Sequence, residues 1–157
     1  MSESLKTKLL RLQFNCIPCF FLTGAHLTYI ADDLREIRLA LPLSWMTRNY
    51  IGTVFGGSMF AATDPIYMLM LIKSLGPEYI VIDKAASIRF KKLGKETLYV
   101  RCVLTQTELD DIKALLETQS KIDRSYTIEL TTLSGEVCAS IERTVNVRRK
   151  ERAESKI

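Results

Sequence analysis

Asp64 is the single charged residue between Ser58 and Ile72, a run otherwise made of apolar and small side chains. An unpaired carboxylate is expensive to bury, so this one has to be hydrogen-bonded, open to a cleft, or raised in pKa. Ionised and facing a carbonyl, it could activate a water as general base or attack the carbon itself. Gly57 stands seven positions earlier, directly after Gly56. A Gly-Gly pair at a helix N-terminus lets a ligand approach the backbone closely, and the free N–H groups with the helix dipole can polarise a carbonyl oxygen or hold an oxyanion. Asn49, just upstream, could orient the water or the carbonyl. Each of these has a plainer alternative. Asp64-Pro65 is also the pattern of a helix start, with Asp as N-cap and Pro at the first helical position. The glycines could simply permit a tight turn, and Asn49 could cap a loop.

A second group is basic: Lys84, Arg89, Lys91, Lys92 and Lys95. These side chains could meet phosphates at the mouth of a cleft, or form the solvated edge of a strand and turn. His26, the one histidine, falls in a strand pattern and reads as a partly exposed strand residue. Cys16 and Cys19 form a C-x-x-C, but no second pair follows at zinc spacing and no redox-type βαβ pattern surrounds it, so free thiols and no metal are expected. Cys102 and Cys138 fit strands as small buried hydrophobes.

The elements that must position these groups follow from periodicity. Two extended stretches, Ala25 to Ala31 and Arg35 to Leu43, meet at Asp32 and Asp33, whose short carboxylates favour a turn. The stretch Gly57 to Leu75 is apolar on every side, and such a helix must be buried on every side. Gly76 and Pro77 end it. Beyond it the period becomes two. Ile80, Ile82, Ala86, Ile88 and Phe90 are expected on one strand face, and Leu98, Val100, Cys102 and Leu104 on the next. A short amphipathic helix follows, with Thr107 as N-cap and Asp110 at N3. Strands over Tyr126 to Leu133 and Glu136 to Arg148 close the pattern, with Val137, Ala139, Ile141, Val145 and Val147 on one face of the last. The result is an α+β chain with an antiparallel sheet wrapped around a long central helix.

At 157 residues, 47% hydrophobic and 25% charged, the sequence reads as one globular domain over 1–157. It would carry an N-terminal helical segment over 1–24 and a charged tail over 149–157. The formal charge of +4 owes much to Arg148, Arg149, Lys150 and Arg152, which read as solvated, and no basic face with a nucleic-acid reading element is present. Arg11, Gln13 and Asn15 interrupt the apolar stretch Leu9 to Leu22, which therefore reads as an amphipathic helix rather than a secretory signal. Val54 to Ile72 contains Asp64 and Pro65, and a core helix suits it better than a membrane span. A cytoplasmic protein with neither nucleic-acid nor membrane partner is the expectation.

The segment from Asn49 to Pro65, Asn49-Tyr-Ile-Gly52-Thr53-Val-Phe55-Gly56-Gly57 continuing to Asp64, resembles the hotdog-fold acyl-CoA thioesterase superfamily. Its phenylacetate-degradation type often carries Asn, Gly-Thr, His-Gly-Gly and an acidic residue seven positions after the second Gly. Asn49, Gly52, Thr53, Gly56, Gly57 and Asp64 match, and Asp83 to Phe90 with Lys91-Lys92-Leu93-Gly94 resembles the third strand and its basic turn. The similarity spans roughly Ala25 to Arg148, and the chain looks most like a branch of unknown function, of the 4442 type.

The resemblance implies a hotdog fold, a homodimer or dimer of dimers, and an acyl-CoA or acyl-carrier thioester as substrate, with no cofactor besides. It further implies Asp64, Asn49 and Gly57 as catalytic residues, and Gly56, Phe55, Thr53, Arg89, Lys91 and Lys92 as substrate-binding ones. The site would lie between subunits, with Asp64 of one chain facing the Gly56 and Gly57 amides of the other. Phe55 departs from the pattern by standing where the family frequently has His. That leaves a non-catalytic acyl-binding protein as the alternative to a thioesterase, and argues against the hotdog dehydratases and hydratases, which need the imidazole.

Overall fold

A computed structural model describes residues 3–150. Its six strands form one antiparallel sheet: β1 (His26–Ile30), β2 (Glu36–Leu41), β3 (Tyr79–Phe90), β4 (Leu98–Val103), β5 (Lys121–Thr131) and β6 (Val137–Arg149), in the order β1-β2-β4-β5-β6-β3. Five helical segments complete it: α1 (Leu5–Asn15), α2 (Pro18–Phe21), α3 (Gly56–Thr63), α4 (Ile66–Leu75) and α5 (Gln106–Thr118). The apolar residues of α4, among them Ile66, Met70 and Leu71, pack with Leu39, Val100, Ile128 and Ile141 of the strands into one core. This is the expected sheet wrapped on a central helical run.

That run is not one uninterrupted helix. Pro65 has no N–H to give the carbonyl of Ala61, and the N–H of Asp64 fills the gap with a tighter bond of 3.2 Å. The break makes Asp64 the C-cap of α3, while Pro65 takes the N-cap position of α4 with no side-chain cap. Asp64 is therefore not an N-cap. Nor is the run buried on all sides. Gly57, Ala61 and Asp64, spaced to share a helix face, form an open stripe on α3, because an open sheet covers only one side.

The β1–β2 turn has the anticipated chemistry, with the Asp33 carboxylate accepting the Arg35 N–H at 3.1 Å. Beside it Leu34 adopts a left-handed φ of 59°. Two expectations on element starts are corrected. The fifth helix starts earlier, with Thr105 as N-cap accepting the Glu108 N–H at 3.1 Å, so Thr107 and Asp110 lie inside it. Strand β5 starts at Lys121 rather than Tyr126.

In β3, the register shifts between Asp83 and Ala85, leaving Lys84 as an extra residue. The shift changes the face on which side chains fall. Val81 and Asp83 oppose core-facing Val147 and Val145, so Ile80 and Ile82 point away from the core, while Ala86 and Ile88 oppose Arg143 and Ile141 on the core side. Arg149 belongs to β6, opposite Tyr79. The Lys150 N–H donates to the Glu78 carbonyl at 2.8 Å, and the expected tail from 151 onward, Arg152 included, lies outside the described residues.

The two sheet edges differ. The β1 edge is covered by the N-terminal segment: Asn15 donates to the Leu27 carbonyl at 3.1 Å and accepts its N–H at 2.7 Å, and Glu3 accepts the Ile30 N–H at 3.1 Å. Among the described residues the outer edge of β3 has no strand partner.

Candidate functional site

The loop before α3 is closed on itself by Asn49. Its side-chain oxygen accepts the N–H groups of Ile51 at 3.1 Å and Thr53 at 3.0 Å, and its amide donates to the Thr53 hydroxyl at 2.9 Å. The backbone adds Asn49 N–H to the Thr53 carbonyl at 2.8 Å, and Gly52 completes the turn at φ 82°. Asn49 and Thr53 thus fix the loop's shape, their side chains bonded to each other and to the loop's own backbone. The N–H of Val54 then binds the Gly94 carbonyl at 2.8 Å, and that of Phe55 the Thr47 carbonyl at 2.7 Å, so the loop delivers α3 at a defined place.

The first intrahelical bond of α3 runs from the Met59 N–H to the Phe55 carbonyl at 3.1 Å. The amides of Gly56, Gly57 and Ser58 precede it and have no carbonyl one turn back in the helix. Both glycines sit under aromatic rings. A Cβ on Gly56 would come within 2.6 Å of the Phe90 ring, and one on Gly57 within 2.3 Å of the Phe55 ring. The helix start faces a cleft of about 450 Å³ lined by Asn49, Thr53, Phe55, Gly56, Phe90 and Lys92 among others. Five of the residues singled out in the sequence therefore meet in one place.

Arg89, Lys91, Lys84 and Asp64 lie elsewhere. Arg89 pairs opposite Ser140, one residue out of phase with the core-side Ile88, and so points away from the helices. Lys91 reaches Glu129 at 3.5 Å, an exposed pair that is worth little to stability. Lys84 is engaged by Asp123 and Lys92 by Glu136. Asp64 sits at the far end of α3, about 10 Å along the helix from Gly57 at 1.5 Å per residue. It borders a different cavity, of about 500 Å³, against the N-terminal helices.

The partner of Asp64 is a residue that the sequence reasoning passed over. Arg143 lies on the core face of β6 and is 2% exposed. Its guanidinium donates to the Asp64 carboxylate at 2.7 Å and to the Phe60 carbonyl at 2.9 Å, and it stacks over the Phe60 ring at 4.9 Å. The Thr63 hydroxyl lies 3.5 Å away, while Nε has no hydrogen-bond partner among the described residues. A buried guanidinium stays charged and needs a counter-charge; Asp64 supplies it. Asp83 stands behind, 3.9 Å from the same guanidinium. Burial raises the Asp83 pKa above the ordinary carboxylate value, against the pull of Arg143 and with a push from Asp64. The signal in the sequence was an arginine at a core-phase position, between Ile141 and Val145.

Among the described residues, no group of three His, Cys, Asp or Glu could hold a metal ion. Cys16 and Cys19 are free and exposed, and Cys102 and Cys138 free and buried. His26 is exposed on β1. No described helix is long and apolar enough to cross a membrane.

The family described as "Domain of unknown function (DUF4442)" matches residues 7–147. No curated protein matches the chain. A Pseudomonas aeruginosa protein of unknown function, described as a probable thioesterase, has a solved structure that superposes with a TM-score of 0.83 at 21% identity, covering 94% of this chain and 99% of that one. A thioesterase from Haemophilus influenzae gives a TM-score of 0.68 at 14% identity over 95% and 93% of the two chains. A protein of unknown function from Chlorobaculum tepidum gives 0.72 at 13% identity over 92% and 95%. At such identities the likeness is one of fold. With its single six-stranded sheet around α3 and α4, this chain has the hotdog fold and belongs to the DUF4442 family.

Proposed function

We propose that the chain hydrolyses acyl thioesters, of coenzyme A or of an acyl-carrier protein, at a site shared by two copies. The observation that carries this reading is the placement of two chemically complementary groups at opposite ends of α3. Amides without an intrahelical partner stand at its start, where Gly56 borders a cleft, and a carboxylate held by a buried arginine stands at its end. Within one chain they are too far apart to act on one carbonyl, so a second copy would have to bring its Gly56–Gly57 amides to Asp64. The bare edge of β3, with Ile82 and Phe90 exposed, supports such pairing, since a long open strand is otherwise an aggregation hazard.

In this scheme the amides bind the thioester oxygen and stabilise it as charge develops. Asp64 takes a proton from the water that adds to the carbonyl carbon. The carbon–sulfur bond then breaks, the proton passes to the departing thiolate, and a carboxylic acid and a thiol leave. Lys92, which lines the cleft and pairs with Glu136, would exchange that partner for a phosphate of coenzyme A. Arg89 and Lys91, on the outer face, could do so only for a cofactor wrapping past the sheet edge. No further cofactor enters the scheme.

One feature favours a second reading. Phe55 is 54% exposed and lays its ring against Gly57, bringing apolar surface but no proton carrier to the helix start. An acyl-binding protein without turnover would need nothing more. A panel of acyl-CoA substrates followed by thiol release, with light scattering on the same sample, tests both. Turnover by a dimer is expected. Tight binding without turnover selects the second reading, and a monomer at micromolar concentration removes the shared site.

A further inference from the structure

The cavity beside Asp64 is separate from the cleft at the glycines, and its walls are unlike those of a polar site. One wall is the α1–α2 turn, with Phe14, Ile17, Cys19 and Phe20; the other is α3, with Phe60 and Ala61. Phe14 and Phe20 stack edge to face at 4.8 Å, which makes the first wall stiff. The lining contains two polar side chains, Thr23 and Asp64. Thr23 is spent, since its hydroxyl donates to the Phe20 carbonyl at 2.7 Å and accepts the Ala25 N–H at 3.1 Å. Asp64 is tied to Arg143 through one oxygen and remains 56% exposed.

The cavity therefore offers one available polar group, an anion, at the rim of an apolar space of about 500 Å³. That volume lies within the range of sites that hold small organic ligands. A ligand group carrying its own carboxylate or phosphate would face Asp64 with no cation to offset it, because Arg143 is turned away beneath Asp64 and Phe60. A ligand with hydroxyl groups would find no partners deeper in and would lose its water hydrogen bonds. An unsubstituted hydrocarbon chain loses nothing and gains about 0.8 kcal/mol, or about fourfold in affinity, for each methylene buried.

We infer that this cavity between the N-terminal helices and α3 receives the acyl chain, and that it selects uncharged aliphatic chains. The inference rests on the thioester reading for which end of the ligand enters: the carbonyl stays at Asp64 and the chain runs towards Phe14. It adds the chemistry of the acyl group, and gives the N-terminal segment a task besides covering the β1 edge.

The test uses unreactive S-alkyl thioethers of coenzyme A, bound to the full chain and followed by calorimetry, so that it does not depend on turnover. Affinity is expected to climb about fourfold per methylene from ethyl upward and to level off once the chain outgrows the cavity. Cys19→Trp and Ile17→Trp narrow the cavity from its N-terminal wall, at exposed positions off the α3 stripe that a second copy would meet. Each should bring the plateau several methylenes earlier. A carboxylated thioether such as the succinyl analogue should bind at least tenfold more weakly than its uncharged counterpart of equal length. Affinity that is flat with chain length, absent throughout, or unmoved by both variants overturns the inference, even where hydrolysis of short thioesters is observed. Chain-length-dependent binding that shifts in the variants upholds it, even where no thioester is hydrolysed.

Discussion

The Arg143 guanidinium reaches up from the core face of β6 to the Asp64 carboxylate, 2.7 Å away and 79 residues earlier in the chain. This bond ties the end of α3 to the sheet. It also gives Asp64 a structural duty alongside its proposed chemical one, and the two can be separated.

Asp64→Asn leaves a buried guanidinium with a neutral near partner and only Asp83, 3.9 Å away, as counter-charge. Breaking a buried pair typically costs 3–5 kcal/mol, but water screens the half-exposed Asp64, so a loss of about 1–3 kcal/mol is expected in denaturant melts. Adding Arg143→Met removes the stranded charge and should restore part of that stability. Thiol release should fall about a hundredfold or more in both proteins, since an amide cannot act as base. Wild-type turnover by the single mutant would dismiss Asp64 from the chemistry.

Thiol reactivity should divide the four cysteines into two pairs. Cys16 and Cys19 are exposed, whereas burial pushes the Cys102 thiol up to about 12 and raises that of Cys138. An alkylating agent at neutral pH should add twice to the native chain and four times to the unfolded one, by intact mass. A third adduct under native conditions would mean that the sheet opens around Cys102 or Cys138.

Acid should weaken the β2–β4 pairing through Glu36. Arg101 hydrogen bonds at 2.7 and 3.2 Å, helped by Arg38, hold the Glu36 carboxyl down at about 2 against an ordinary 4.5. A carboxyl depressed in the folded state contributes stability that is full above the ordinary value and drains away as pH falls from about 4.5 towards about 2. Glu36→Gln should flatten that part of the stability–pH curve, and added salt should do the same in the parent because the arginines are exposed. An unchanged acid slope in the variant would assign the effect to other carboxyls.

Much of this architecture was legible because single-period patterns announced it: alternation along β2, β4 and β6, and an unbroken apolar run over α4. What periodicity missed were the places where it changes within an element. The extra residue at Lys84 moves Ile80 and Ile82 off the face that Ile88 keeps, and nothing in residue type flags a bulge. Thr105 and Thr107 are equally good caps by composition, and only the observed bond to the Glu108 N–H decides. At the site, the glycines and Asp64 stood out as breaks in an apolar background. Asn49 was legible as a polar residue but not as one whose bonds are all local. Arg143 was the opposite case: a single charge within an alternating apolar face, meaningful only once Asp64 is known to lie across from it.

The eight residues of α3 form a rod whose two ends carry unlike halves of the proposed site, amides at Gly56–Gly57 and a carboxylate at Asp64. Two such rods laid side by side in opposite directions about a twofold axis put each amide end against the other's carboxylate end, so one contact creates two sites. Neither site can then be assembled or abolished alone. Because Pro65 cuts the rod off from α4, the spacing that both sites share is set by this short segment, and a one-residue insertion or deletion between Gly57 and Asp64 would put both out of register together.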